Sequence, residues 1–246
     1  MSGSVGQPVY AASLRSFLAR RFYFAMSLVA AVVVAYGFHF TIGANLLHPA
    51  IRPPAILWLH AAVNVSWLAL FIAQTGLVTT RNVALHKRLG LAGIALGALV
   101  FAVGAATTVA MIRFHAAHPE PNGTPPAFAI IPLDDIALFA ALFATGIAMR
   151  RKDTETHRRL MLMATCVLTS AGWGRFPSTL VPDNWFYAGV DLMVLAGMAR
   201  DFVVMRRVHR AYLYGLPAMV AVQATSMAIF LSSPAWWLAA VRALAR

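Results

Sequence analysis

Residues 22–51 read FYFAMSLVAAVVVAYGFHFTIGANLLHPAI, 30 residues between Arg21 and Arg52 without Asp, Glu, Lys or Arg. A helix rises 1.5 Å per residue, so about 20 apolar residues cross the hydrocarbon core of a bilayer. Three further charge-free runs are long enough: 28 residues between Arg52 and Arg81, 24 between Arg88 and Arg113, and 31 between Arg210 and Arg242. Arg15, Arg20 and Arg21 precede the first run as they would in a signal peptide. However, the run outlasts an h-region and offers no convincing cleavage site, so it reads as the first permanent span. The fold class that follows is all-α, a polytopic membrane helical bundle.

Composition agrees. Of 246 residues 60% are hydrophobic and 11% charged, against about 25% charged in an ordinary soluble domain. Mean hydropathy is +0.71 and the sequence pI is about 11.2. Twenty basic residues face 8 acidic ones, a net charge of +12. A basic pI ordinarily prompts a nucleic-acid reading, but here the charges form short clusters between long apolar runs. A soluble enzyme, a DNA binder and a disulfide scaffold are excluded. The single cysteine, Cys166, lies in an apolar stretch and has no intrachain partner.

About seven spans fit, at 22–43, 54–79, 89–112, 127–149, 160–180, 186–205 and 211–232. Short connections make residues 1–246 one membrane domain. Its four-helix core is spans two to five (54–180), and the tail 234–246 is amphipathic. Pro53-Pro54, Pro119, Pro121-Asn122-Gly123 and Pro125-Pro126 break helices between spans. One set of connections carries Arg15, Arg20, Arg21, Arg81, Lys87, Arg88, Arg150, Arg151, Lys152, Arg158, Arg159, Arg200, Arg206, Arg207 and Arg210, 15 of the 20 basic residues. Basic residues stay on the cytoplasmic side. The expectation is a multi-pass protein of the cytoplasmic (inner) membrane, N-terminus cytoplasmic and C-terminus external. Its evident partner is the lipid bilayer; oligomeric state is unknown.

Polar residues break the apolar rule at two levels. Asp134 and Asp135 on span four, Arg175 on span five and Asp191 on span six fall near the external boundary, with His60 of span two at the same depth. An ionisable residue at a helix centre costs roughly 2.5–3.5 kcal/mol on insertion scales. The layer is therefore either an Asp–Arg structural pair or a polar site opening outward. Asn64, Trp67 and Gln74 continue the His60 face at i+4, i+7 and i+14, a stripe that must face the bundle interior.

At the cytoplasmic level, His86-Lys87-Arg88-Leu89 precedes span three and His157-Arg158-Arg159-Leu160 precedes span five. The match suggests a repeat of helix pairs. Gly90, Gly93, Gly97, Gly104 and Thr107 continue the His86 face, as close helix packing or as a groove open to a flat macrocycle. A single helical face running from His157 reaches Arg175 after 18 residues, roughly 27 Å along the axis. Two imidazoles facing each other hold haem iron by both axial positions; alternatively they join the positive rim.

The layout resembles the cytochrome b561 core, in which four successive helices supply histidine pairs to haem. His60, His86 and His157 match three ligand positions, while Asp134-Asp135 stand where the fourth requires histidine. The resemblance thus implies at most one haem b, on the cytoplasmic side, with His86 and His157 as ligands. A closer likeness is to a family of uncharacterised bacterial multi-span proteins, carried by His60, Gln74, His86-Lys87-Arg88-Leu89-Gly90, His157-Arg158-Arg159-Leu160-Met161 and Arg175 over residues 55–180.

Three functions follow as expectations. The first is a b-type haem electron-transfer protein or oxidoreductase, in which His86, His157, Gly90, Gly93 and Gly97 bind the cofactor. Asp135, Arg175 and Asp191 then form the outward-facing site for a quinone or quinol, or another small redox partner. The second is a metal-dependent membrane enzyme with zinc or iron at His60, Asp134, Asp135 and Asp191. The third is a proton-coupled transporter using the same carboxylates and Arg175. No lysine in span seven supports a retinal Schiff base, and no nucleotide-binding or nucleophile-elbow motif is present.

Overall fold

The computed structural model describes residues 9–119 and 123–246; the expected break at Pro121-Asn122 lies outside them. Among the described residues every regular element is helical. The helices are α1 (Val9–Arg20), α2 (Phe22–His39), α3 (Ile56–Thr79), α4 (Val83–Ala117), α5 (Ile130–Met149), α6 (Thr154–Leu168), α7 (Ser170–Trp173), α8 (Phe186–Met205), α9 (Arg210–Ser232) and α10 (Ala235–Leu244). Five segments are long and apolar enough to cross a membrane: α2, α3, α4, Pro126–Met149 and α9.

Local chemistry marks the ends. Pro53-Pro54 precede α3. The Asn82 side chain accepts from Leu85 N at 3.2 Å to start α4, and Asp153 accepts from Thr156 N at 2.9 Å to start α6. Arg206 and Ser233 end α8 and α9 in the left-handed region, with φ of 58° and 45°. Pro234 precedes α10, whose Trp237 is buried and donates Nε1–H to Ala127 O at 3.0 Å, while Trp236 is exposed.

α3 lies along α4, α5 along α6, and α4 joins the two pairs through α5. Between α3, α4 and α5 sits a core of Val63, Trp67, Val100, Val103, Phe139 and Phe143. Trp67 meets the Phe139 and Phe143 rings edge-on at 5.1 and 5.5 Å. A second core, around Leu162, Met163, Val190, Val194 and Met219, joins α6, α8 and α9. Val32, Val65, Leu91 and Leu192 stay exposed, as lipid-facing positions do.

One expectation fails. Residues 160–180 do not form one helix: α6 ends at Leu168, where the Thr169 hydroxyl turns back to Cys166 O at 2.6 Å. The chain continues in the single turn of α7, so no unbroken face joins His157 to Arg175. The break lets α7 press against α2. A Cβ on Gly37 would lie 2.1 Å from Gly172 O, and one on Gly172 would lie 3.1 Å from Val33 O. Only glycine pairs allow that backbone approach.

Candidate functional site

Neighbouring residues on a helix point about 100° apart, and the two aspartates of α5 diverge accordingly. Asp135 is buried at 8% exposure. Ser170 of α7 donates to its Oδ2 at 2.5 Å, and Tyr187 of α8 donates to its Oδ1 at 3.0 Å. Asp134 turns the other way and accepts from the Ser226 hydroxyl of α9. Asp191 lies one turn beyond Tyr187 on α8 and faces Gln223 of α9. Its Oδ1 is buried without a hydrogen-bond partner, as is Gln223 Nε2. Tyr187 feels all three carboxyls. Two helices, α5 and α8, therefore supply Asp134, Asp135 and Asp191, while α7 and α9 add the Ser170 and Ser226 hydroxyls and the Gln223 amide beside them.

Arg175 is not the counter-ion of that cluster. Its Nε donates to Thr41 Oγ1 at 3.2 Å and an Nη to Ala171 O at 2.5 Å, and the guanidinium lies 4.2 Å from the Phe38 ring centroid. Because α6 stops early, Arg175 ties α7 to the end of the first span instead. Of the two readings of this layer, the Asp–Arg structural pair gives way to this tether. No ion pair joins Asp134, Asp135 or Asp191 to a cation among the described residues.

No hydrogen bond or ion pair joins His60 to the carboxyls among the described residues. Its carbonyl accepts from Asn64 Nδ2 at 2.9 Å, and its ring lies within electrostatic range of Arg175. Among the described residues no three His, Cys, Asp or Glu side chains gather to hold a metal ion. The expected set of His60, Asp134, Asp135 and Asp191 is therefore not assembled: helical phase sends the two α5 aspartates to different neighbours.

The interior stripe on α3 does face inward. Trp67 is buried and donates Nε1–H to Thr165 Oγ1 at 3.3 Å. Gln74 reaches the start of α4. Its amide oxygen accepts from Gly90 N at 2.9 Å, which turns its nitrogen toward His86, donating to Nδ1 at 2.7 Å and to the backbone oxygen at 3.2 Å. Across from it, His157 Nδ1 bonds Gly146 O at 2.8 Å. A carbonyl only accepts, so His157 carries its proton on Nδ1 and leaves the Nε2 lone pair open. Gln74 donates to His86, so the neutral His86 ring carries its proton on Nε2. The two rings lie within electrostatic range of each other.

That region does not fit a haem. A Cβ on Gly97 would lie 2.2 Å from the Phe143 ring, one on Gly104 2.5 Å from Ile136, and one on Gly93 3.2 Å from Leu70. Gln74 lies beside Gly90. The expected macrocycle groove along Gly90, Gly93 and Gly97 is instead filled by side chains of α3 and α5, the close packing that small residues serve in membrane bundles.

The reading from sequence passed over one buried cluster. Arg159, fully buried, meets Asp201 through Nε and Nη2 at 2.7 and 2.8 Å, and Arg200 adds a third bond to Asp201 at 3.0 Å. Arg158 and Arg159 also reach Glu155. The signal was an acid inside the sixth predicted span, beside Arg200.

No family model matches the chain, and neither does any curated protein or solved structure.

Proposed function

We propose that the chain is a proton-coupled membrane carrier in which Asp135 takes up the proton. One observation carries the reading: Asp135 is buried inside the bundle between two hydroxyl donors, with Asp134 and Asp191 on neighbouring faces and no cation paired with any of the three among the described residues. A lone carboxylate in a low-dielectric interior is costly, so it takes up a proton or a charged ligand. Intramembrane acids with no structural counter-ion are the residues carriers use to couple ions.

The chemistry at Asp135 suits a group that changes its proton state without rebuilding its surroundings. Ser170 donates to the carboxylate; when Asp135 Oδ2 carries a proton, the hydroxyl rotates and accepts it. Tyr187 keeps its bond to Oδ1 in either state. Asp191, with an open Oδ1, is the next acceptor along α8, and Asp134 with Ser226 lines the α9 side. The broken α6–α7 segment supports the same reading, because discontinuous helices build many carrier sites and irregular backbone at membrane depth lines polar ground.

In this reading the spans are α2, α3, α4, α5, α6 with α7, α8 and α9, seven in all, with the second to fifth as the core. The N-terminus lies in the cytoplasm of an inner-membrane protein and the C-terminus outside, since 15 of the 20 basic residues share the side of α1. The carboxyl cluster then opens toward the outside.

Reconstitution tests the proposal. Proteoliposomes carrying an internal pH dye are challenged with a panel of small amines and small carboxylic acids, and infrared difference spectra follow carboxyl protonation. A substrate-driven pH change is expected that Asp135→Asn abolishes together with one protonated-carboxyl band. If Asp135→Asn leaves both signals intact, Asp135 is not the coupling group and the proposal fails.

A further inference from the structure

α1, at the head of the first span, is tied to α8 by two arginines. Arg15 donates to Val204 O at 2.9 Å, and Arg200 donates to Leu18 O at 3.1 Å and Ala19 O at 3.4 Å. These contacts use the face of α1 turned to the end of α8. The opposite face presents Ser13, Ser16, Phe17 and Arg20, the i, i+3, i+4, i+7 positions of one helical stripe. With Arg21 they line a cleft of about 280 Å³ at the bend between α1 and α2. Arg20 and Arg21 are exposed and meet no carboxylate among the described residues.

The position of the cleft narrows its occupant. α2 begins at Phe22, so the bend sits where an apolar span leaves the bilayer, at headgroup depth. Two guanidiniums offer forked donors that match phosphate oxygens, and the Ser16 hydroxyl on the same stripe adds a short-range donor. Phe17 lines the cleft, and Leu14 stands beside it, both about half exposed at 46% and 48%. A free phosphate has no use for that apolar flank, whereas a lipid has acyl chains to lay on it.

We propose that this cleft binds the phosphate headgroup of an acidic phospholipid, with Arg20 and Arg21 on the phosphate, Ser16 on its oxygens and Phe17 against the acyl chains. The site depends on α2 crossing a membrane and is independent of the carrier reading. Basic residues at an anionic surface each contribute about fivefold in affinity. The lipid holds α1 to the headgroup plane and so steadies the α1–α8 contact.

The test uses the full-length protein purified in neutral detergent, titrated with short-chain phosphatidylglycerol, short-chain phosphatidylcholine or inorganic phosphate, with melting temperature and lipid-retaining native mass spectra as readouts. Phosphatidylglycerol alone is expected to raise the melting temperature and to stay bound. Because Arg20 and Arg21 also orient the first span, two variants keep their charge: S16A and R20K/R21K. Each is expected to weaken phosphatidylglycerol retention severalfold. R20Q/R21Q, scored on correctly inserted protein, is expected to weaken it by roughly 25-fold, two steps of the per-residue factor. Equal shifts with phosphatidylcholine, an equal shift with inorganic phosphate, or retention unchanged in all three variants overturns the proposal.

Discussion

Arg159 and Asp201 face each other through two parallel bonds, 2.7 and 2.8 Å long, with both side chains removed from solvent. The pair ties the start of α6 to the end of α8. His209 N also donates to Asp201 at 3.3 Å, so one carboxylate organises the turn into α9 as well. Removing one partner of a buried pair leaves an uncompensated charge and costs about 3–5 kcal/mol. Asp201→Ala is therefore expected to lower stability by about that amount, measured by thermal unfolding in detergent. A double variant, Arg159→Met with Asp201→Leu, is expected to recover much of the loss. Equal losses in the single and double variants would show that the pair's charges are not what matters.

Asp153 supplies a pH-dependent element at the other end of α6. Its carboxyl is held well below the usual carboxylate range, chiefly by the Thr156 hydroxyl and backbone N–H at 2.6 and 2.9 Å, with Arg210 at 3.0 Å adding to it. A lowered folded-state value means stability that is complete above the unfolded value near pH 4 and fades as pH falls below it. Asp153→Asn keeps a capping oxygen but loses the titration. Between pH 5 and 3 the wild type is expected to lose stability relative to this variant, by circular dichroism melts; parallel curves would refute the assignment.

The crossing of α2 and α7 leaves no space for a methyl group at Gly37, because the obstacle is the Gly172 backbone. Gly37→Ala must push the two segments apart. Overpacking of this kind costs about 1–3 kcal/mol. A melting-temperature drop is expected, with a smaller effect for Gly90→Ala, where the nearest atom to the new methyl is the end of the Gln74 side-chain amide at 3.6 Å. Equal effects at both positions would contradict the geometry.

The histidine pair makes a spectroscopic prediction. Nitrogen NMR of selectively labelled protein at neutral pH is expected to find the proton of His86 on Nε2 and that of His157 on Nδ1, with Gln74→Ala altering only the former. The reduced-minus-oxidised visible spectrum of protein expressed with haem precursor is expected to be featureless. A b-type absorption band that vanishes in His157→Ala would reinstate the haem and require Phe143 to move.

The apolar runs made the helical class legible, since long uncharged stretches admit few other outcomes. Helical phase was also legible where the helix is continuous: the His60-to-Gln74 stripe turns inward because α3 runs unbroken through it. The same reasoning failed at Arg175 because it assumed continuity across Thr169, and composition does not reveal a break whose cause is the approach of Gly37 to Gly172. The repeat hinted by His86-Lys87-Arg88-Leu89 and His157-Arg158-Arg159-Leu160 was visible as letters. Its asymmetry was not: Arg88 is exposed, whereas Arg159 is buried, because α8 brings Asp201 to the second copy. The carboxyls were singled out readily. Their partners, Ser170, Tyr187, Ser226 and Gln223, are ordinary residues until four helices converge on them.

α4 has 35 residues, roughly 52 Å of helix, against about 30 Å of hydrocarbon. Its uncharged stretch, residues 89–112, takes up roughly 36 Å of that, so about a turn and a half extends past each end, and α10 braces the C-terminal one, where Arg113 Nε donates to Leu244 O at 3.1 Å. That projection is a mast. A small rigid protein fused near Pro119 would stand clear of the detergent belt in a fixed orientation, giving electron microscopy a handle on a bundle otherwise hidden in its micelle.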